Sequence, residues 1–219
     1  GETVAVLEGG LTQIFMAEWL TDNGVDISEV NFTNLIMDDA VGAMVGGTAA
    51  AAEFWEPFGS QVLEAMPEAT VAADSTQEKY ITTALLGDAL YMATEFLESR
   101  PEDAAKLTRA YFNAVDFWKA NPTEGNKIIA KGLNFNVADV EQVLGKDGNI
   151  LKGGIFVFDR EQAAIFMGLK PGTLPLNIAS DGMKAHWDIT TDWWLKFGFI
   201  DKRMPMEAGV DTTPLAKAL

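Results

Sequence analysis

Short apolar runs alternate with helix-length amphipathic stretches over the first third of the chain. Thr3-Val4-Ala5-Val6-Leu7 reads as a buried strand and Glu8-Gly9-Gly10 as its turn. Residues 11–22 then form a helix that Asn23-Gly24 ends through a left-handed cap. Residues 30–35 predict a second strand, and Asp38 is placed to cap a helix that runs to Met44 and closes at Gly46-Gly47. A third strand of small residues is predicted over 49–55. Pro57 then opens a helix reaching Met66, and Val71-Ala72-Ala73 suggests a fourth strand. Strands separated by helices in this way predict parallel βαβ units with right-handed crossovers.

Beyond Gly87 the period changes. Helices are predicted over 88–100, 101–120, 122–131, 137–144, 159–167 and 179–197. In the second of these, Leu107, Tyr111, Ala114, Val115 and Trp118 recur at helical spacing and mark a core stripe. Tyr80 to Leu86 reads as an extended crossover between an α/β lobe, residues 1–78, and a helical remainder, residues 79–219.

Charge follows the same division. The chain of 219 residues carries 16 Lys and Arg against 32 Asp and Glu, a net charge of -16. Residues 1–78 hold 14 of the acids and only end before the first base, Lys79, so that nearly all of the net charge lies in the first lobe. This balance argues against a nucleic-acid partner or an anionic membrane surface, both of which need a basic footprint. Hydrophobic residues at 48% indicate a globular chain. The longest uncharged apolar stretch, residues 40–52, is too short and glycine-broken to span a bilayer. Gly1-Glu2-Thr3 leads straight into a strand, and no signal peptide is read in it.

Candidate chemistry is sparse. Zero cysteine excludes disulfides, thiolate metal sites and cysteine nucleophiles. His186 is the only histidine, beside Trp187 on a predicted helix, with no second His or Cys to share a zinc ion; it reads as a structural or surface residue. No P-loop, GxSxG or GxGxxG is present, and no catalytic residue, metal site or cofactor is expected. The Glu8-Gly9-Gly10-Leu11-Thr12 turn joins a strand to a helix, where free backbone N–H groups can cradle an anionic or polar group, or where the glycines serve turn geometry alone. The run ending in Trp55-Glu56-Pro57 places an aromatic face and a carboxylate at the carboxyl edge of a parallel sheet, the usual ligand position in open α/β folds. Alternatively Trp55 is core and Glu56 a carboxylate at a helix start.

Several of these stretches together resemble a known family. Val4-Ala5-Val6 with its Gly-rich turn, Asn23-Gly24-Val25-Asp26-Ile27-Ser28-Glu29-Val30, the helix Asp39 to Gly47 and the run Ala51 to Phe58 follow one another in a familiar order. Arg100-Pro101-Glu102, Ala120-Asn121-Pro122-Thr123-Glu124 and Phe197-Gly198-Phe199-Ile200 continue it. The chain resembles the substrate-binding proteins of ABC importers of the nitrate/sulfonate/taurine/thiamine-pyrimidine (NMT1/THI5-like) group, which have the type II periplasmic binding fold. Two departures stand out. The family's Asp is replaced by Ala50, and a complete member carries a further segment ahead of Gly1 that forms the first half of lobe one.

The resemblance implies an α/β fold with one complete βαβ lobe and a mainly helical return into a partial second lobe. It implies a truncated, extracytoplasmic or periplasmic protein that captures a small polar molecule between lobes. Such a protein closes by a hinge near 76–88 and presents its ligand to a membrane permease. Ligand contacts are expected from Gly10, Thr12, Gln13, Trp55 and Glu56: Thr12 and the N–H groups on a polar group, Trp55 on the apolar body, Glu56 on an amine. An apolar surface left by the truncation favours a homodimer. An acidic lobe works against a bare anion such as nitrate and suits an amine, a zwitterion such as taurine, or an aminopyrimidine; it also suits a merely solvated acidic surface. The rival readings are a sensor domain without transport, or a pyrimidine-precursor enzyme on the same fold. The enzymes of that kind depend on cysteine, which this chain lacks, so no enzymatic activity is expected.

Overall fold

The computed structural model describes residues 1–82, 87–147 and 155–219. Two compact units are present: Gly1–Gln77 with Thr190–Lys202, and Glu78–Ile189 with Arg203–Leu219. The break after Gln77 falls where the charge changes. Thr190–Lys202, which the sequence pattern assigns to the helical half, belongs instead to the first unit.

The first unit is α/β. Its order is β1 (Thr3–Val6), α1 (Leu11–Asp22), β2 (Asn31–Asn34), α2 (Met37–Val45), β3 (Ala51–Ala52) and α3 (Phe58–Ala65). The sheet runs β2-β1-β3, with both pairings parallel, Val4 opposite Phe32 and Ala51, and Ala5 opposite Thr33 and Ala52. Because side chains alternate across a strand, β1 feeds two cores. Val4 and Val6 pack with Met16, Trp19, Phe32 and Ala51 on the α1 side. Ala5 packs with Ala40, Ala49, Ala52 and Phe54 on the α2 side, where small residues bring helix and sheet close together.

Three expectations change here. The third strand is two residues long: single bonds from Ala50 N–H to Thr3 O and from Glu53 N–H to Ala5 O extend its ladder, and the chain then leaves the sheet. Val71-Ala72-Ala73 is not a strand; Val71 is exposed, and no described strand pairs with this segment. Asp38 lies in the first turn of α2 and does not cap it, because Ile36 holds the N-cap; a carboxylate there still complements the helix dipole.

The second unit is helical: α4 (Glu78–Thr82), α5 (Thr94–Ser99), α6 (Pro101–Ala120), α7 (Pro122–Leu133), α8 (Val137–Leu144), α9 (Arg160–Phe166), the start of α10 (Gly182–Phe197) and α11 (Thr213–Ala218). The crossover read as extended is helical to Thr82, and its residues 83–86 lie outside the described residues. Of the helix expected over 88–100, only Thr94–Ser99 forms. The core stripe of α6 is rotated from the expected one. Ala104, Ala105, Thr108, Phe112, Val115 and Trp118 are buried, whereas Leu107, Tyr111 and Ala114 are exposed. A second apolar stripe on the same helix misled the periodicity; α11, which buries Pro214, Leu215 and Ala218, and α7 both pack on α6 and decide which stripe is covered.

Asn126 fastens three of these helices. It is fully buried, accepts from Trp118 Nε1 at 2.8 Å and donates to Gly145 O at the end of α8 at 2.9 Å. Removing its amide strands a buried N–H and a carbonyl, each costly to leave unmade. Asn126→Ala is expected to lower stability by about 2–4 kcal/mol. Urea unfolding checks this, and an unchanged midpoint contradicts the assignment.

Candidate functional site

At the carboxyl end of β1 the chain must pass from a buried strand into α1, and four backbone N–H groups need acceptors. Leu7 N–H donates to Thr12 Oγ1 at 2.8 Å, Glu8 N–H to Asn34 Oδ1 at 3.1 Å, and Gly9 N–H to Gln13 Oε1 at 2.8 Å. Gly10 N–H donates to Leu7 O at 3.0 Å. Gly9 adopts a left-handed φ of 71°, which favours glycine. Its carbonyl accepts from Trp194 Nε1 at 2.9 Å, and the Phe199 ring lies where a Cβ on this residue would touch it.

The N–H groups of the Glu8-Gly9-Gly10 turn are therefore spent inside the protein and are not free to cradle a ligand. Thr12 and Gln13 are 3% and 5% exposed, and their side-chain oxygens hold the loop from behind. What this end of α1 retains is the first-turn N–H groups that no helix satisfies by itself.

Thr190–Lys202 backs this loop with aromatic rings. Trp193 is buried and donates to Glu18 Oε1 at 2.6 Å, and its ring stacks on Phe197 at 5.4 Å. Phe197 meets Phe32 of β2 edge-on, and Lys196 Nζ lies 3.8 Å over the Trp193 ring. The sequence pattern shows these aromatics as one amphipathic helix but carries no sign that they return to the first unit.

After β3, Trp55 is 47% exposed and meets Phe58 edge-to-face at 6.3 Å, so it is not a core residue. Glu56 accepts from Ser60 N–H at 3.1 Å and thereby caps the first turn of α3. Its bond to Pro57 is cis. Since β1 and β3 are parallel neighbours, Gly10, Thr12 and Gln13 on one side and Trp55 and Glu56 on the other belong to the same carboxyl edge. A shallow hollow of about 560 Å³ lies elsewhere, beside α2, lined among others by Thr3, Thr33, Asp39 and Thr48; none of the five expected residues lines it.

At the carboxyl end of β3, two residues before Trp55, stands Glu53, which sequence reasoning did not single out. Its backbone continues the β3 ladder onto Ala5 O, its Oε2 is buried, and no hydrogen-bond partner reaches that atom. Burial pushes the carboxyl up from 4.5 to about 7. The available signal was an acid inside a run of small strand residues, a polar group at a core position.

A family model described as "NMT1-like family" matches residues 2–134, more than half of the chain. No curated protein matches it. Among the described residues no helix is long and apolar enough to cross a membrane.

The raised carboxyl has a consequence for stability. Between pH 4.5 and about 7 the folded chain keeps a proton on Glu53 that the unfolded chain has released. Stability therefore falls as pH rises through this window and the loss is complete above it. Relative to Glu53→Gln, the unmodified protein is expected to lose about 2–3 kcal/mol between pH 4 and pH 8. Paired urea titrations across that range check it; curves that stay parallel contradict the burial of this group.

Proposed function

This chain belongs to the NMT1-like family, and from that premise we propose that it is the solute-binding component of an ABC importer, acting outside the cytoplasm. On this reading it captures a small polar molecule containing nitrogen or sulfur, of the taurine, sulfonate, nitrate or aminopyrimidine type, and delivers it unchanged to a membrane permease. It needs no cofactor and carries out no covalent chemistry.

The observation that carries the reading is the carboxyl edge of the parallel sheet. There the β1–α1 loop is held by the buried side chains of Thr12 and Gln13 and by Asn34 of β2 and Trp194 of α10, and Trp55 stands half-exposed at the same edge. A large ring left in solvent at the end of a strand costs apolar exposure, which a ligand body stacked on it removes. The rigid loop keeps the first turn of α1 in one place, so that a ligand's polar group meets preset N–H donors. Glu56, occupied by Ser60 N–H, shapes the start of α3 and keeps one carboxylate oxygen for a ligand donor.

Isothermal titration calorimetry with taurine, ethanesulfonate, nitrate and 4-aminopyrimidine tests the proposal. At least one of them is expected to bind one to one, and Trp55→Ala to weaken it by about tenfold, the worth of one aromatic contact. Absence of binding across the panel, or an affinity indifferent to Trp55→Ala, contradicts it.

A further inference from the structure

Among the described residues, Glu53 is the acid of this edge whose buried oxygen no protein group pairs. Alternation along β3 fixes the side of the sheet on which it lies. Ala51 packs in the α1-side core, and Ala52 and Phe54 in the α2-side core, so Glu53 shares its side with Ala51, Val4 and Val6. Thr190 provides a second observation in the same unit. Trp193 and Trp194, which bond Glu18 and Gly9, lie one turn further along the same helix face, and Thr190 Oγ1 is likewise buried without a hydrogen-bond partner.

Two polar atoms withdrawn from water and left unpaired are expensive for a structure that otherwise satisfies every N–H of the neighbouring loop. A carboxylate in such a place is neutralised by a proton or by a cation. The first unit has little cation to offer. Residues 1–77 contain no Lys or Arg, and the two bases of Thr190–Lys202 are Lys196, which lies over the Trp193 ring, and Lys202. The other charged groups on the surrounding elements are acids: Glu8 in the loop, Glu18 and Asp22 on α1, Glu56 and Glu64 around α3, and Asp192 and Asp201. Glu18 is taken by Trp193 and Glu56 by Ser60 N–H.

We propose that Glu53 is the specificity-determining residue of this edge and selects a solute bearing a protonated nitrogen, an ammonium or amidinium group, over a bare anion. The assignment rests on the solute-binding reading above and names the substrate class of that same site. Below pH 7 Glu53 holds a proton in the free protein. An ammonium ligand displaces that proton to solvent, and its N–H groups pair with the carboxylate. No covalent bond changes: below pH 7 a ligand that arrives as an ammonium releases about one proton to solvent, whereas a neutral aminopyrimidine takes the Glu53 proton over and releases none. A nitrate or alkylsulfonate gains nothing from the carboxylate and is repelled by it once ionised.

The test uses probe pairs that differ only in the amine: taurine against ethanesulfonate, and 4-aminopyrimidine against pyrimidine. Calorimetry on the unmodified protein at pH 6 is expected to give the amine-bearing member of at least one pair an affinity about tenfold or more above its partner. With taurine, whose amine is already protonated, the same titration in two buffers of different ionisation enthalpy is expected to show proton release. In Glu53→Gln, the ratio is expected to collapse toward one and the proton release to vanish. Should that variant fail to fold, the ratio and the proton release of the unmodified protein decide alone. If probes bind but amine-bearing and amine-free members bind alike, or taurine binds without proton release, the assignment of Glu53 is overturned and the solute-binding reading stands. If no probe binds, that reading falls and takes this assignment with it.

Discussion

Between Val6 and Leu11 the chain turns from a buried strand into a helix, and everything proposed for the first unit depends on how that turn is satisfied. A strand buried on both faces cannot hand its last N–H groups to water. The acceptors come from Thr12 and Gln13 one turn into α1, from Asn34 at the end of β2, and from Leu7 itself. Trp194 adds a bond onto the Gly9 carbonyl from a segment nearly two hundred positions along the chain. Each of these bonds is worth only about 1 kcal/mol, but losing the ones from Leu7 and Gly9 N–H strands a donor partly withdrawn from water, which costs more. The loop is rigid for that reason, and a rigid loop can present α1's first turn to a ligand without an ordering cost at each binding event.

The same economy isolates Glu53. Around a turn in which every N–H is paired, one carboxylate oxygen is not. The surrounding residues deepen the contrast, because the first 78 positions carry 14 acids and no base before Lys79 closes the stretch's end. Most of those acids are exposed, well hydrated and modest in their mutual effect. Glu53 differs by burial, and burial rather than any neighbouring charge raises its carboxyl. Net charge therefore says little about the site, and one desolvated group within it says much more.

Much of the first unit was legible in the sequence because its signals are local. The Val-Ala-Val run, the helix stop at Asn23-Gly24 and the glycines at 46 and 47 act within a few residues of themselves, and β1, α1 and α2 form where they predict. The failures involve partners far away along the chain. The third strand shortens because only two of its residues find register with β1, and Val71 finds no described partner strand. The α6 stripe is chosen by α7 and α11, which no window over α6 contains. At the site, Gly10, Thr12, Gln13, Trp55 and Glu56 do share one edge, since parallel βαβ topology brings strand ends together. Which of them face inward was not legible: Thr12 and Gln13 look like donors in sequence and are buried braces in the structure. The return of Thr190–Lys202 and the burial of Glu53 arise from tertiary packing, and a single sequence carries no periodic trace of either.

The central claim is that the carboxyl edge of the β2-β1-β3 sheet receives a small solute. Backbone amide shifts of the ¹⁵N-labelled protein, followed as taurine or 4-aminopyrimidine is added, test it most directly. The account predicts saturable shifts concentrated in Gly9 to Gln13 and Glu53 to Phe58, with the α2 hollow at Thr33, Asp39 and Thr48 left unmoved. Shifts gathered in that hollow, or confined to the helical unit, would contradict it.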